Sequence, residues 1–396
     1  MPFAVYILGL AIFAQGTSEF MLAGLLPEIA TDLGVSIPDA GLLISAFALG
    51  MLVGGPLLAV VTLRWPRRLS LLAFVAVFVA AHVAGGLTAS YGVLLTTRIV
   101  AAFAYAGFWA VAAVAAVGMV PANARGRALA IVTGGLTIAT ILGVPAGTFV
   151  GQHLGWRAAF WAVAAVTALT AIGLPATVPG GRLTGDKAPD LRRELRTMAN
   201  PRLWLAYSST GLSAGSVVVT FSYLGALLTD TTGLDEAWVP AVLALYGVGS
   251  LIGITIGGRI GDARPFGTLY AGCAGIVVVS VLLALTMDVV AAVVVLVFFL
   301  GFFGFFVNPA LNVRIYAIAG EARTLAGATV TSAFNIGIVV APWLGGLAIG
   351  AGFGYPSVAW TGAALGVVTI ASVALGSALN GLSRKADPAP SSLPAA

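Results

Sequence analysis

Long apolar runs separated by short polar connections dominate this chain of 396 residues. Twelve runs reach the length of about 20 residues that a helix needs to cross a bilayer. They span 5–26, 40–63, 69–87, 91–119, 128–149, 156–176, 203–228, 238–256, 269–287, 289–307, 326–349 and 358–379. A membrane barrel strand is about ten residues long and alternates in polarity. These runs do neither, so the pattern predicts an all-α membrane protein. The first run has no basic leader and carries an acid, so it reads as a retained helix and not as a cleaved signal.

The longest connection divides the runs six and six. This predicts an N-terminal six-helix bundle (1–176), a linker loop (177–202), a C-terminal six-helix bundle (203–379) and a disordered tail (380–396). The halves repeat weakly. Shifting 50–66 by 199 residues overlays it on 249–265 without a gap, placing Gly50, Leu52, Gly54 and Pro66 on Gly249, Leu251, Gly253 and Pro265. Paired repeats about an axis along the membrane normal belong to transporters that work by alternating access, and argue against a fixed pore.

Composition agrees with burial in lipid. Hydrophobic residues make up 60% of the chain and charged residues 8%, whereas a water-facing surface carries about 25–35% charge. Cys273 is the single cysteine, so no internal disulfide can form. The net charge of +5 is a matter of topology. Seventeen of the nineteen Lys and Arg residues fall in alternate connections, leaving only Arg157 opposite and Arg98 within a run. The basic connections, and with them both termini, are expected to be cytoplasmic. No basic face remains for nucleic acid. Two histidines, one cysteine and no cluster of membrane carboxylates leave no catalytic or metal site to assign, and no Gly-rich phosphate loop ending in Lys-Ser or Lys-Thr is present.

Glu19 is the one carboxylate deep within an apolar run, and Arg98 is the one cation in a comparable place. Such residues cost about 2.5–3.5 kcal/mol each at mid-bilayer and mark function by default. At 1.5 Å per residue both lie about 10 Å below the outer surface. They are therefore expected to act together in proton coupling, in contact or through water or ligand. A fixed structural ion pair is the alternative. Helical spacing sets Gln15 on the face of Glu19, and Tyr105 and Trp109 on the face of Arg98. These read as a substrate-cavity wall, or equally as packing aromatics. Asn335 is expected to bond between helices or to substrate. His82 is read as a buried, satisfied histidine, His153 as part of an external loop, and the Phe298–Phe306 cluster as packing, part lipid-facing and part core.

Several stretches resemble the major facilitator superfamily, specifically its drug:proton antiporters. The loop Leu63-Arg64-Trp65-Pro66-Arg67-Arg68 keeps the basic end of that family's loop between the second and third helices, with Leu63 where the family has Asp. Its repeat, Gly258-Arg259-Ile260-Gly261-Asp262, keeps the acid, and Asp262 is a gating candidate by that resemblance. Leu94 to Arg98 resembles the family's fourth-helix pattern. Gly135, Gly143, Pro145 and Gly147 resemble the antiporter stretch, with one residue inserted before the proline. Gly337, Pro342, Gly345 and Gly346 follow it more closely. Gly16-Thr17-Ser18-Glu19-Phe20, Leu26-Pro27 and Gly155-Trp156-Arg157 are similar to the branch holding actinomycete chloramphenicol-resistance exporters and arabinose-efflux-like permeases. The resemblance implies a monomeric multi-pass exporter in the bacterial inner membrane. It would need no cofactor beyond the proton motive force, and its partners would be protons, lipid and a small amphipathic drug. Efflux of sugars or other metabolites is the second reading.

Overall fold

The computed structural model describes residues 1–62, 65–178, 199–261, 263–320 and 323–386. Leu63, Arg64, Asp262, most of the central linker and the last ten residues lie outside that set. Among the described residues, eleven helices are long and apolar enough to cross a membrane, and a bent pair makes the twelfth. We label them α1 (Phe3–Phe20), α2 (Ile37–Val61), α3 (Arg67–Leu87), α4 (Tyr91–Gly118), α5 (Arg125–Leu154) and α6 (Trp156–Thr177) in the first half. The second half holds α7 (Pro201–Ser222, continued by Leu224–Thr231 after a 46° bend), α8 (Val239–Gly261), α9 (Pro265–Leu285), α10 (Val290–Ala319), α11 (Arg323–Ala348) and α12 (Pro356–Ala386). No strand occurs among the described residues.

Helix contacts repeat between the halves. A Cβ at Gly50 or Gly54 of α2 would run into the backbone of α4 at Ile99 and Phe103. Shifted by 199 residues, Gly249 and Gly253 of α8 lie against Phe298 and Phe302 of α10 in the same way. The spacing that aligned the sequence is thus the spacing of backbone-to-backbone contact. A second equivalence joins α1 with α5 and α7 with α11. Gly135 meets the carbonyl of Gly9, and Gly337 meets that of Gly211. Without apolar solvent exclusion to drive association in lipid, such close packing through small residues is what holds membrane helices together.

The structure corrects three expectations. First, α10 does not end at Val307. Asn308 opens a further helical segment to Ala319, because Pro309 sits in its first turn, where a missing N–H costs nothing. Arg314, counted above among the loop cations, is therefore inside the bundle and buried. Second, α12 continues through Ala386, past the expected end at 379. No proline interrupts that stretch before Pro388. Third, His153 belongs to the last turn of α5, where its ring bonds the Phe149 carbonyl at 2.9 Å.

Candidate functional site

At its C-terminal end α1 tightens into a 3-10 turn, Met21–Gly24. Just before it, Ser18 and Glu19 face different neighbours. Arg98 of α4 is fully buried and closes on Ser18, with Nη1 donating to the hydroxyl at 2.7 Å and Nη2 to the carbonyl at 2.8 Å. Its guanidinium also lies 4.2 Å from the centre of the Phe47 ring. The Ser18 hydroxyl is 2.6 Å from Nε2 of His82 on α3, whose Nδ1 is 2.9 Å from the Phe78 carbonyl. Since the Phe78 carbonyl can only accept, the proton of the neutral histidine sits on Nδ1, and Nε2 accepts from the Ser18 hydroxyl. His82 is satisfied, as the sequence led us to expect, but its partners tie it to Arg98. No ion pair joins Arg98 to Glu19.

Glu19 instead borders a cavity of about 440 Å³ between the two halves. Tyr105, Trp109 and Asn335 border it too, so four of the sequence-derived residues come together. Tyr105 and Trp109 meet edge to face with centroids 6.1 Å apart. Asn335 donates its amide to Thr331 at 2.9 Å, and its side-chain carbonyl is unpartnered. Gln15 is not on this wall. It is fully buried with both amide atoms unpartnered. Shared helical face gives direction, not exposure, and one turn toward the N-terminus from Glu19 the neighbouring helices cover α1. Of the phenylalanine cluster, Phe305 reaches the cavity. Sequence reasoning missed Thr140, Ser250, Asn308 and Asn312, which supply polar edges. Among the described lining residues Glu19 alone carries a formal charge.

A larger groove of about 610 Å³ runs along α7, α11 and α12. Its residues Trp204, Ile336 and Val340 are exposed on the flank of one half, and it holds no charged side chain. We place the candidate site in the smaller cavity, because it joins both halves and carries a formal charge, that of Glu19.

The antiporter-like stretches flank the cavity. Gly135, Gly143 and Gly147 of α5 pack on Gly9, Thr17 and Met21 of α1. The inserted residue takes the form of a π turn at Ala139–Gly143, just before Pro145. Such single-turn bulges absorb one extra residue in a helix. In α11, Pro342 gives its carbonyl to the Tyr223 hydroxyl at 2.7 Å, at the break in α7. Gly345 and Gly346 lie against that same ring, and Gly346 also meets Pro38 of α2. At this end the halves are joined: Tyr223 abuts Gly41, Gly225 abuts Ala23, and Gln152 bonds the Glu236 carbonyl at 3.0 Å. The cavity lies toward the opposite end, which carries the basic connections.

The comparisons agree with this architecture. A family model described as Major Facilitator Superfamily matches residues 8–320. A chloramphenicol resistance protein of Streptomyces lividans is 44% identical over 88% of this chain and 90% of its own length. The inner membrane transport protein YdhP of Escherichia coli (strain K12) is 34% identical over 90% and 91%. Among solved structures, a bacterial homolog of the human lysosomal transporter Spinster, inward-facing and unoccupied, superposes with a TM-score of 0.71 at 18% identity, covering 97% of this chain and 96% of that one. Eleven spanning helices and a bent twelfth among the described residues, in two repeated halves around a central cavity, with a family match over most of the length, make this chain a membrane transporter of the major facilitator superfamily.

Proposed function

We propose that the protein is a proton-coupled exporter of a small amphipathic antibiotic, a phenicol such as chloramphenicol, working by alternating access. One observation carries the reading: among the described lining residues a single carboxylate, Glu19, stands on a cavity shared by both halves, while Arg98 gives both terminal amino groups to Ser18 and makes no ion pair with it. The cavity volume of about 440 Å³ falls in the range of small-molecule sites. An aromatic ring suits Trp109 and Phe305, and ligand hydroxyls suit the unpartnered carbonyl of Asn335 and the hydroxyls of Thr137 and Thr140. The 44% identity to a chloramphenicol resistance protein supports the drug class. With the basic connections on the cytoplasmic side of a bacterial inner membrane, the joined end faces outward and the cavity faces inward. That is the state that loads drug from the cell. The gating roles of the α5 and α11 glycines belong to this proposal, as does function as a monomer.

The test is export itself. Cells expressing the protein in a strain stripped of its own drug pumps should accumulate less chloramphenicol, release it chemically intact, and lose that advantage when a protonophore collapses the proton gradient. Unchanged accumulation across a panel of phenicols would refute the substrate assignment, and export that survives the protonophore would refute the coupling.

A further inference from the structure

Arg314 is 5% exposed, on α10, away from the central cavity. One amino group is 3.4 Å from the Ser209 hydroxyl, the guanidinium carbon is 5.6 Å from the centre of the Phe266 ring, and Nε has no partner. No ion pair joins it to an acid among the described residues. A buried guanidinium without a counter-charge is strongly disfavoured, so its surroundings should offer a place for an anion.

They do. A cavity of about 390 Å³ adjoins Arg314, bordered by Asn200, Arg202, Pro265, Phe266 and Ala317. Two long helices begin at it. α7 starts at Pro201, behind an Asn200 cap that accepts from the Arg202 N–H at 3.0 Å, and α9 starts at Pro265. Helix starts carry partial positive charge and N–H groups with no acceptor inside the helix. The Phe266 N–H is one of these. A planar guanidinium fork and helix N-termini together form the donor set that phosphate oxygens occupy. The space exceeds what a carboxylate needs. Ala317 is exposed at its edge, on the same end of the bundle as the basic connections. Basic pockets between helices at that level take lipid head groups.

We propose that this pocket binds one phosphate group, carried by an anionic phospholipid or by a soluble phosphate, which neutralises Arg314 and ties α7, α9 and α10 together at their inner ends. The full-length protein, purified in neutral detergent and stripped of lipid, is titrated with phosphatidylglycerol or with inorganic phosphate. Binding is read by native mass spectrometry and by the thermal unfolding midpoint. Arg314→Met removes the charge at similar volume. Ala317→Trp fills the mouth of the pocket and leaves Arg314 in place, so it serves if the first variant does not fold. Retention of one phosphatidylglycerol per chain, weakened at least tenfold in the variants, assigns the site to lipid. Saturable binding of inorganic phosphate alone, lost in the variants, assigns it to a soluble source. Binding of neither, or binding that the variants leave unchanged, overturns the proposal.

Discussion

Arg98 is bonded to Ser18 through both of its terminal amino groups, at 2.7 and 2.8 Å, and not to the adjacent Glu19. The difference of one residue along α1 decides whether the buried acid is a spent partner or a free one. A guanidinium paired with Glu19 would hold it ionised. Held on Ser18, it leaves the carboxyl to the cavity.

The Ser18 hydroxyl links Arg98 to His82, so breaking it should release the cation. Ser18→Ala leaves two buried groups short of a partner, at about 1–3 kcal/mol each. We expect a lower unfolding midpoint and weaker export, with Ser18→Thr restoring both. His82→Phe should act in the same direction and more mildly, since Arg98 keeps the Ser18 carbonyl. Wild-type midpoint and export in Ser18→Ala would show that the chain of bonds is idle.

The paired glycines give a second expectation. A Cβ at Gly337 would overlap the Gly211 carbonyl, as one at Gly135 would overlap that of Gly9. Gly337→Val and Gly135→Val should each cost about 1–3 kcal/mol through forced separation of the helices. Valine at Gly55, where a Cβ meets nothing within 4 Å, is the control and should be neutral. Equal unfolding midpoints for all three proteins would count against close packing as the source of stability.

These glycines were legible in the sequence because backbone contact demands one residue type. The offset of 199 could be read from Gly50 and Gly249 before any contact was known. Glu19 was legible for a similar reason, as a costly residue in an apolar run. Asn308, Asn312 and Arg314 were not, because the apolar run ends at Val307, while a helix that starts at Asn308 carries the chain on past it. The role of His82 was hidden differently. Its partner Ser18 lies 64 residues away, and Arg98 lies 80 residues beyond Ser18, so no local pattern connects them.

Asp32, on the short helix Leu26–Leu33 outside the spans, pairs with Arg157 and accepts from Trp156 Nε1 at 3.2 Å. The hydrogen bond from Arg157 holds its carboxyl below the usual range, with the Trp156 bond adding to that and desolvation opposing it. A depressed folded value means that the stabilisation is present above the unfolded pKa of about 3.9 and is lost as the pH falls through the folded value. The pair is partly exposed, so a double-mutant cycle with Asp32→Asn and Arg157→Gln should give only about 0.2–1 kcal/mol. That coupling should be flat between about pH 5 and 8 and shrink below about pH 4. A coupling that grows on acidification would contradict the assignment.

Tyr223 stands at the bend of α7, fully buried, with its hydroxyl on the Pro342 carbonyl and its ring against Gly41 of the other half. A side chain at Gly41 cannot coexist with that contact. Gly41→Val should wedge the joined end apart and favour the opposite state. Cysteine placed at Ser222 should then become reactive to a membrane-impermeant reagent added from the side opposite the basic connections, at least several-fold faster than in the parent. Unaltered reactivity would mean that the contact does not gate the cavity.

The proton-carrier role of Glu19 is the prediction on which the transport mechanism turns. A carrier must bind a proton on one side and release it on the other, so its two charge states must be close in free energy. Burial opposes ionisation and a neighbouring cation favours it. Arg98 bonds Ser18 and makes no ion pair with Glu19, and a small shift of α4 against α1 would move the guanidinium between Ser18 and the carboxylate. Proton and neutral drug need not touch, since each can favour a different state of the same two halves. Glu19→Gln keeps size and hydrogen bonding and cannot titrate. It should bind chloramphenicol within a few-fold of wild type, yet release no protons on drug addition and build no drug gradient in energised vesicles. A fixed structural role for the carboxylate predicts instead a loss of folded protein with coupling intact in whatever survives. Proton-driven accumulation at the wild-type level by Glu19→Gln would remove Glu19 from the coupling step.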